Sequence, residues 1–123
     1  MKFLGLRTVG YKVSDLAKAK EWYTSILGVA PYFDEPFYVG FNVAGYEIGL
    51  QPEEPNPIPK SDGCVVYLGV DDVRATYEGL LKLGATSFEE PTDVGGDIVV
   101  ATVKDPWGNP FGIIYNPHFV LSD

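Results

Sequence analysis

The feature that most constrains this chain is an internal repeat. "LRTVGYKV", "SDLAKAKEWYTSILG" and "PFYVGFNVAGYEIGLQP" return, after a break, as "CVVYLGV", "DDVRATYEGLLKLGA" and "GGDIVVATVKDPWGNPFGIIYNP". Each pass reads as strand, helix and strand group. Val13-Ser14-Asp15-Leu16 matches Val70-Asp71-Asp72-Val73: an apolar strand end, polar residues able to cap a helix, then the first apolar helical position. Both helices run to a glycine, Gly28 and Gly84, where a C-terminal stop is expected. Leu16, Ala19, Tyr23, Ile26 and Leu27 recur at helical spacing in the first, and Val73, Tyr77, Leu80 and Leu81 in the second. Each stripe is the face that covers a sheet. Between the passes, "PEEPNPIPKSDG" holds four prolines and is poor strand material. The expected organisation is one domain of 123 residues: module 1 (1–52), a proline-rich linker (52–63), module 2 (64–118) and a C-terminal tail (119–123).

Strand alternation sorts the sheet into two faces. If Ala44-Gly45 is a two-residue hairpin turn, Val43 pairs with Tyr46 and Phe41 with Ile48, so Phe37, Val39, Phe41, Val43, Tyr46, Ile48 and Leu50 share one apolar face. Val9, Tyr11, Val13, Val66, Leu68, Val70, Phe111 and Ile113 join it, towards the helices. The opposite face carries Leu6, Thr8, Lys12, Tyr38, Asn42, Glu47, Gln51, Val65, Tyr67, Val100, Thr102 and Ile114, together with five glycines: Gly10, Gly40, Gly49, Gly69 and Gly112. Such a face is short of side chains. Two readings follow: the glycines let a strongly curved sheet bend, or they make room in a cup for a ligand.

Charge and composition narrow the partners. Seventeen acidic residues against nine basic ones give a formal net charge of −8, which repels phosphate backbones and anionic lipid and attracts cations. Nucleic acid and membrane partners are therefore not expected, no apolar stretch approaches a membrane span, and a cytoplasmic location is the expectation. The single cysteine, Cys64, excludes an internal disulfide and a cysteine-based zinc site. His118, the only histidine, falls beyond Asn116-Pro117 as a tail residue. Ser14, Ser25, Ser61 and Ser87 lack a nucleophile elbow or a partner histidine. Glu53-Glu54 and Glu89-Glu90 read as solvated loop charge, and "DVGGD" as a turn.

The two βαβββ passes, the helix entries "VSDL" and "VDDV", "EWYTSILG" and the closing "DPWGNPFGIIY" resemble the vicinal oxygen chelate superfamily, the group of glyoxalase I, extradiol dioxygenases, fosfomycin-resistance enzymes and bleomycin-resistance proteins. The resemblance covers nearly the whole chain. It implies an α+β fold in which two tandem βαβββ modules form a curved mixed-sheet cup with the helices on the convex face. In metal-dependent members the ligands, usually histidine or glutamate, come from positions that match Thr8, Gly49, Val65 and Gly112 here. None of these four ligates as histidine or carboxylate does, so neither a metal nor another cofactor is expected.

The closest members in kind are then the metal-free bleomycin-resistance proteins, which dimerise and sequester cationic or flat aromatic antibiotics. That resemblance implies a homodimer that binds a small organic molecule. Rings for such a site would come from Tyr38, Tyr67 and Trp107, polar edges from Thr8, Asn42, Gln51 and Thr102, negative charge from Glu47, and space from Gly49, Val65 and Gly112. Lys12 and Glu47 would form a salt bridge or, as the other possibility, an acid/base pair. The competing expectation is a glyoxalase-like lyase, isomerase or dioxygenase with an atypical metal site, Glu47 being the one candidate for a base.

Overall fold

Two aspartates start the two helices. Asp15 accepts the Lys18 N–H and Asp72 the Ala75 N–H, each at 3.0 Å, satisfying donors that a helix N-terminus otherwise leaves without partners. The helices they open are α1 (Leu16–Leu27) and α2 (Val73–Lys82). Gly28 ends the first at φ 71°, its N–H returning to the Thr24 carbonyl at 3.0 Å. Beyond the second, Gly84 takes φ 107°. Both stops fall where the sequence places them.

The computed structural model describes residues 1–57, 59–60 and 63–121. Parts of the proline-rich linker, Ser61 among them, and the last two residues of the tail lie outside the described residues. The chain divides into two compact units, Met1–Pro59 and Lys60–Asp123. The first contains β1 (Thr8–Val13), α1, β2 (Phe33–Glu35), β3 (Tyr38–Val43) and β4 (Tyr46–Pro52), with sheet order β1-β4-β3-β2. The second contains β5 (Tyr67–Gly69), α2, β6 (Thr86–Gly95), β7 (Ile98–Lys104) and β8 (Pro110–Tyr115), ordered β5-β8-β7-β6. In each unit the first strand runs parallel to the last and the remaining pairs are antiparallel. The fold is α+β, and the repeat in the sequence is a repeat of topology.

Each helix buries its stripe on its own sheet. Ala19 and Tyr23 of α1 are buried with Val13, Val39, Phe41, Ile48 and Leu50; Val73, Tyr77 and Leu80 of α2 with Ala101, Val103, Phe111 and Ile113. Such buried side chains supply most of the stability, at about 1.5–3 kcal/mol each. Tyr77 brings a hydroxyl into this layer and donates it to Ser87 Oγ at 2.7 Å. The Ala44-Gly45 hairpin has both turn residues at positive φ, 52° and 95°, and Val43 pairs with Tyr46 and Phe41 with Ile48.

Three details depart from the pattern. Phe37 is 65% exposed and Tyr46 is also exposed, because one precedes β3 and the other opens β4 beside the turn, at the margin of the helix-covered face. The short, acidic β2 and the ten-residue β6 are not evident in the sequence. "TSFEEPTDVG" carries two glutamates and a proline, which edge strands tolerate, and its ladder with β7 slips at three places. Glu89 and Glu90 are thus exposed on an edge strand rather than in a loop. Finally β5 begins at Tyr67 and not at Cys64, although Val66 still accepts the Gly112 N–H at 2.9 Å. No helix among the described residues is long and apolar enough to cross a membrane.

Candidate functional site

In the first unit, three glycines stand side by side across three strands: Gly10 pairs with Gly49, and Gly49 with Gly40. A row without side chains leaves a trough across the sheet, and the neighbouring rows decide what fills it. Tyr38 fills part of it. A Cβ added to Gly49 would overlap the Tyr38 hydroxyl and lie 2.8 Å from the ring's Cε1. One added to Gly40 would meet Glu47 Oε1 and Tyr32 Cε1, each at 3.3 Å. Above Gly10 nothing lies within 4 Å. The glycines therefore serve two ends: two of them seat a cluster of side chains, and the third leaves open space beside it.

The cluster centres on Glu47, in β4 opposite Thr8 and Asn42. Tyr38 donates its hydroxyl to Glu47 Oε2 at 2.8 Å, Tyr32 donates to Oε1, and Thr8 donates to Oε2 at 3.4 Å. The partners of the carboxylate are three neutral hydroxyls and not Lys12, which stands farther along β1 opposite Gln51. The Tyr32 and Tyr38 hydroxyls hold the Glu47 carboxyl below the ordinary value of 4.5, against a smaller opposing effect of burial, and Thr8 adds a lesser lowering still. Burial and then Glu47 push the Tyr38 phenol up to about 12, and the hydrogen bond to Glu47 raises that of Tyr32. The result is a carboxylate kept ionised with no countercharge of its own among the described residues.

This arrangement has a pH signature. Because the folded-state value of Glu47 lies below the unfolded one, its contribution to stability is present above about pH 4.5 and is lost as the pH falls through the folded value. Glu47→Gln is expected to lessen the loss of stability between about pH 7 and about pH 3, measured by urea denaturation. In the same variant the Tyr38 phenol, followed by ultraviolet absorbance, is expected to titrate below its native value of about 12 yet above 10, since burial, the larger cause, remains. An unchanged acid limb and an unchanged phenol titration would mean that the hydroxyls are not bonded to Glu47 in solution.

The structure gathers some of the expected site residues and separates others. Thr8, Tyr38, Glu47 and Gly49 come together. Asn42 lies in register with Glu47, but its Oδ1 accepts the Gly45 N–H at 2.9 Å and serves the hairpin turn. Gln51 is exposed at the other end of β4. In the second unit Tyr67, Gly112 and Thr102 form one row. There the Tyr67 ring covers Gly112, where an added Cβ would lie 2.6 Å from Cδ1. Thr102 is only 1% exposed, on β7 between β6 and β8 in the sheet. Val65 is half-buried and precedes β5. Trp107 sits in the "DPWGN" turn, its N–H donated to Asp105 Oδ1 at 2.9 Å.

Tyr32 is the member of the cluster that strand patterning missed. Its N–H reaches the Gly40 carbonyl at 3.0 Å, just before β2, a strand too short and polar to announce itself. The available signal was the aromatic density of "PYFDEPFY".

The residues do not fit a divalent metal. The Gly49 position is overlaid by Tyr38 and the Gly112 position by Tyr67, and among the described residues no group of three or more His, Cys, Asp or Glu stands together.

Comparison with known proteins adds a family and a fold. The family model described as "Glyoxalase/Bleomycin resistance protein/Dioxygenase superfamily" matches residues 5–113. Among solved structures, the chain is similar to a glyoxalase-related enzyme from Fulvimarina pelagi, with a TM-score of 0.81 at 16% identity, over 98% of this chain and 94% of that one. It is also similar to a glyoxalase/bleomycin resistance protein from Albidiferax ferrireducens T118, with a TM-score of 0.72 at 19% identity, over 90% and 98% of the two chains. A glyoxalase/bleomycin resistance protein/dioxygenase family enzyme from Burkholderia phytofirmans PsJN gives 0.72 at 18% identity, over 88% and 95%. At such identities the likeness is one of fold. No curated protein matches the chain.

Proposed function

The chain belongs to the Glyoxalase/Bleomycin resistance protein/Dioxygenase superfamily, and on that premise we propose that it is a metal-free member that binds and sequesters a small organic cation. The observation that carries this reading is Glu47: an ionised carboxylate, half-buried, bonded to three hydroxyls and, among the described residues, matched by no positive side chain. A cation supplies the missing charge, the exposed Tyr32 ring offers a face for it, and the space above Gly10 admits it. Bleomycin-resistance proteins, whose name two of the similar structures carry, make antibiotic sequestration the leading form of this activity. The reading includes a homodimer, which the exposed Phe3, Leu4 and Leu6 support and which light scattering measures.

The same geometry argues against general-base catalysis by Glu47. A carboxylate whose pKa is pushed down is a weaker proton acceptor, and enzymes that use glutamate as a base raise it instead. Sequestration requires only that the charge persist. A thermal-shift panel of glycopeptide, aromatic and quaternary-ammonium cations tests the proposal. A ligand present at a hundred times its Kd is expected to stabilise the native protein by about 2.7 kcal/mol. Glu47→Gln is expected to abolish most of that gain. A panel without any shift, or a shift that Glu47→Gln leaves intact, overturns the proposal.

A further inference from the structure

The second unit holds a cavity of about 530 Å³ where β5 and β8 end. Gly69 and Ile114 line it, paired in parallel register, and a Cβ added to Gly69 would meet nothing within 4 Å. The size is within the range that encloses ring-sized organic ligands. Three aromatic side chains line it, Tyr67, Tyr115 and Phe119, and the fold leaves all three exposed, Phe119 by 68%.

Phe119 belongs to the segment after the last strand, and that segment is tied down. The His118 N–H is donated to Asn116 Oδ1 at 3.0 Å and the Phe119 N–H to the Asn116 carbonyl at 3.3 Å. His118 Nε2 donates to the carbonyl of Gly96, in the β6–β7 turn, at 2.7 Å. The lone histidine is thus a clasp that holds one wall of the cavity in place.

Asp71 also lines the cavity. Its neighbour Asp72 uses its carboxylate to cap α2, whereas Asp71 has neither a hydrogen bond nor an ion pair among the described residues. Among the described residues no lysine, arginine or histidine lines the cavity. Three uncovered rings beside one uncommitted carboxylate form a site for a ligand that is both flat and positive: the rings take its faces, and the carboxylate takes its charge. Small neutral apolar ligands would leave Asp71 unmatched, and anions would meet it directly.

We propose that this cavity is a second binding site, contained in residues 67–119, for a planar aromatic cation. It does not rest on the reading of Glu47, which lies in the first unit. Fluorescence titration of the full chain with proflavine, a tricyclic aromatic cation, tests it. In a Glu47→Gln background, which takes the first-unit cluster out of the readout, saturable binding is expected, weakened about tenfold when Asp71→Asn is added and to a similar degree when Phe119→Ala is added. A neutral tricycle of similar size should bind that background about as weakly as proflavine binds it once Asp71→Asn is added. Far-UV circular dichroism and the melting temperature establish that the variants are folded. The proposal is overturned if proflavine does not saturate, or if binding is insensitive to both substitutions in the second unit. Binding that disappears in Glu47→Gln alone overturns it too, and would instead place the dye at the first-unit cluster.

Discussion

Replacement of Asp105 by alanine is expected to destabilise the protein by about 2–4 kcal/mol, the largest effect of any single polar substitution considered. Asp105 is only 3% exposed, yet it is an acid in a turn. Its Oδ1 accepts the backbone N–H of Trp107 at 2.9 Å and of Asn109 at 2.8 Å, and its Oδ2 accepts the Asn109 side-chain amide at 3.0 Å. Its backbone closes the same loop: the Asp105 N–H reaches the Asn109 carbonyl at 2.9 Å, and the Gly108 N–H reaches the Asp105 carbonyl at 3.0 Å. Gly108 makes the reversal at φ 85°, a conformation costly for other residues. Without the carboxylate, these donors lose an acceptor in a place that water reaches poorly, since Asn109 is itself buried. Asp105→Asn keeps one acceptor oxygen and should fall between wild type and alanine. Urea denaturation measures the series. A wild-type midpoint for Asp105→Ala would mean that Pro106 and Gly108 hold the turn unaided.

Gly112→Ala is expected to cost about 1–3 kcal/mol by overpacking, although it adds a single methyl group to a strand that would ordinarily welcome it. The new Cβ would lie 2.6 and 2.9 Å from the Tyr67 ring and 2.9 Å from the backbone carbonyl of Val66. The ring can swing aside, being partly exposed, but the carbonyl is held in place by the hydrogen bond it accepts from Gly112 N–H at 2.9 Å. A double-mutant cycle separates the two contributions. In a Tyr67→Ala background the penalty should shrink without vanishing, because the clash with the carbonyl remains. An equal penalty in both backgrounds would show that the ring does not cover Gly112 in solution. Tyr67 also lines the second-unit cavity, so Gly112→Ala should weaken proflavine binding there as well.

Much of the scaffold was legible because it rests on local chemistry. Asp15 and Asp72 announce helix starts through their capping oxygens, and Ala44-Gly45 announces a hairpin that fixes the register of β3 and β4. Period-two alternation placed Val39, Phe41, Ile48 and Leu50 towards the helix, where they are buried. β2 and β6 escaped the same reasoning: edge strands bury neither face fully, so their sequences need no alternation and admit Glu89, Glu90 and Pro91. The candidate site was legible in part. Thr8, Tyr38, Glu47 and Gly49 were placed on one face and stand together, while Asn42 was placed there and is occupied with its turn. Thr102 was placed there too and stands in register with Gly112, and it is buried.

By itself, then, the sequence determined the repeat, the helix ends, the "DPWGN" reversal and which residues share a face, because each depends on interactions between residues close in the chain or on strand periodicity. It marked Gly49 and Gly112 as strand glycines that either let the sheet bend or leave room above it. What comes close was decided only by the tertiary structure: the hydroxyl end of Tyr38 in one unit and the ring of Tyr67 in the other. The reason is physical. The space above a strand glycine belongs to side chains on adjacent strands, and which of them leans across depends on register, diagonal offset and rotamer, which no single strand's sequence contains.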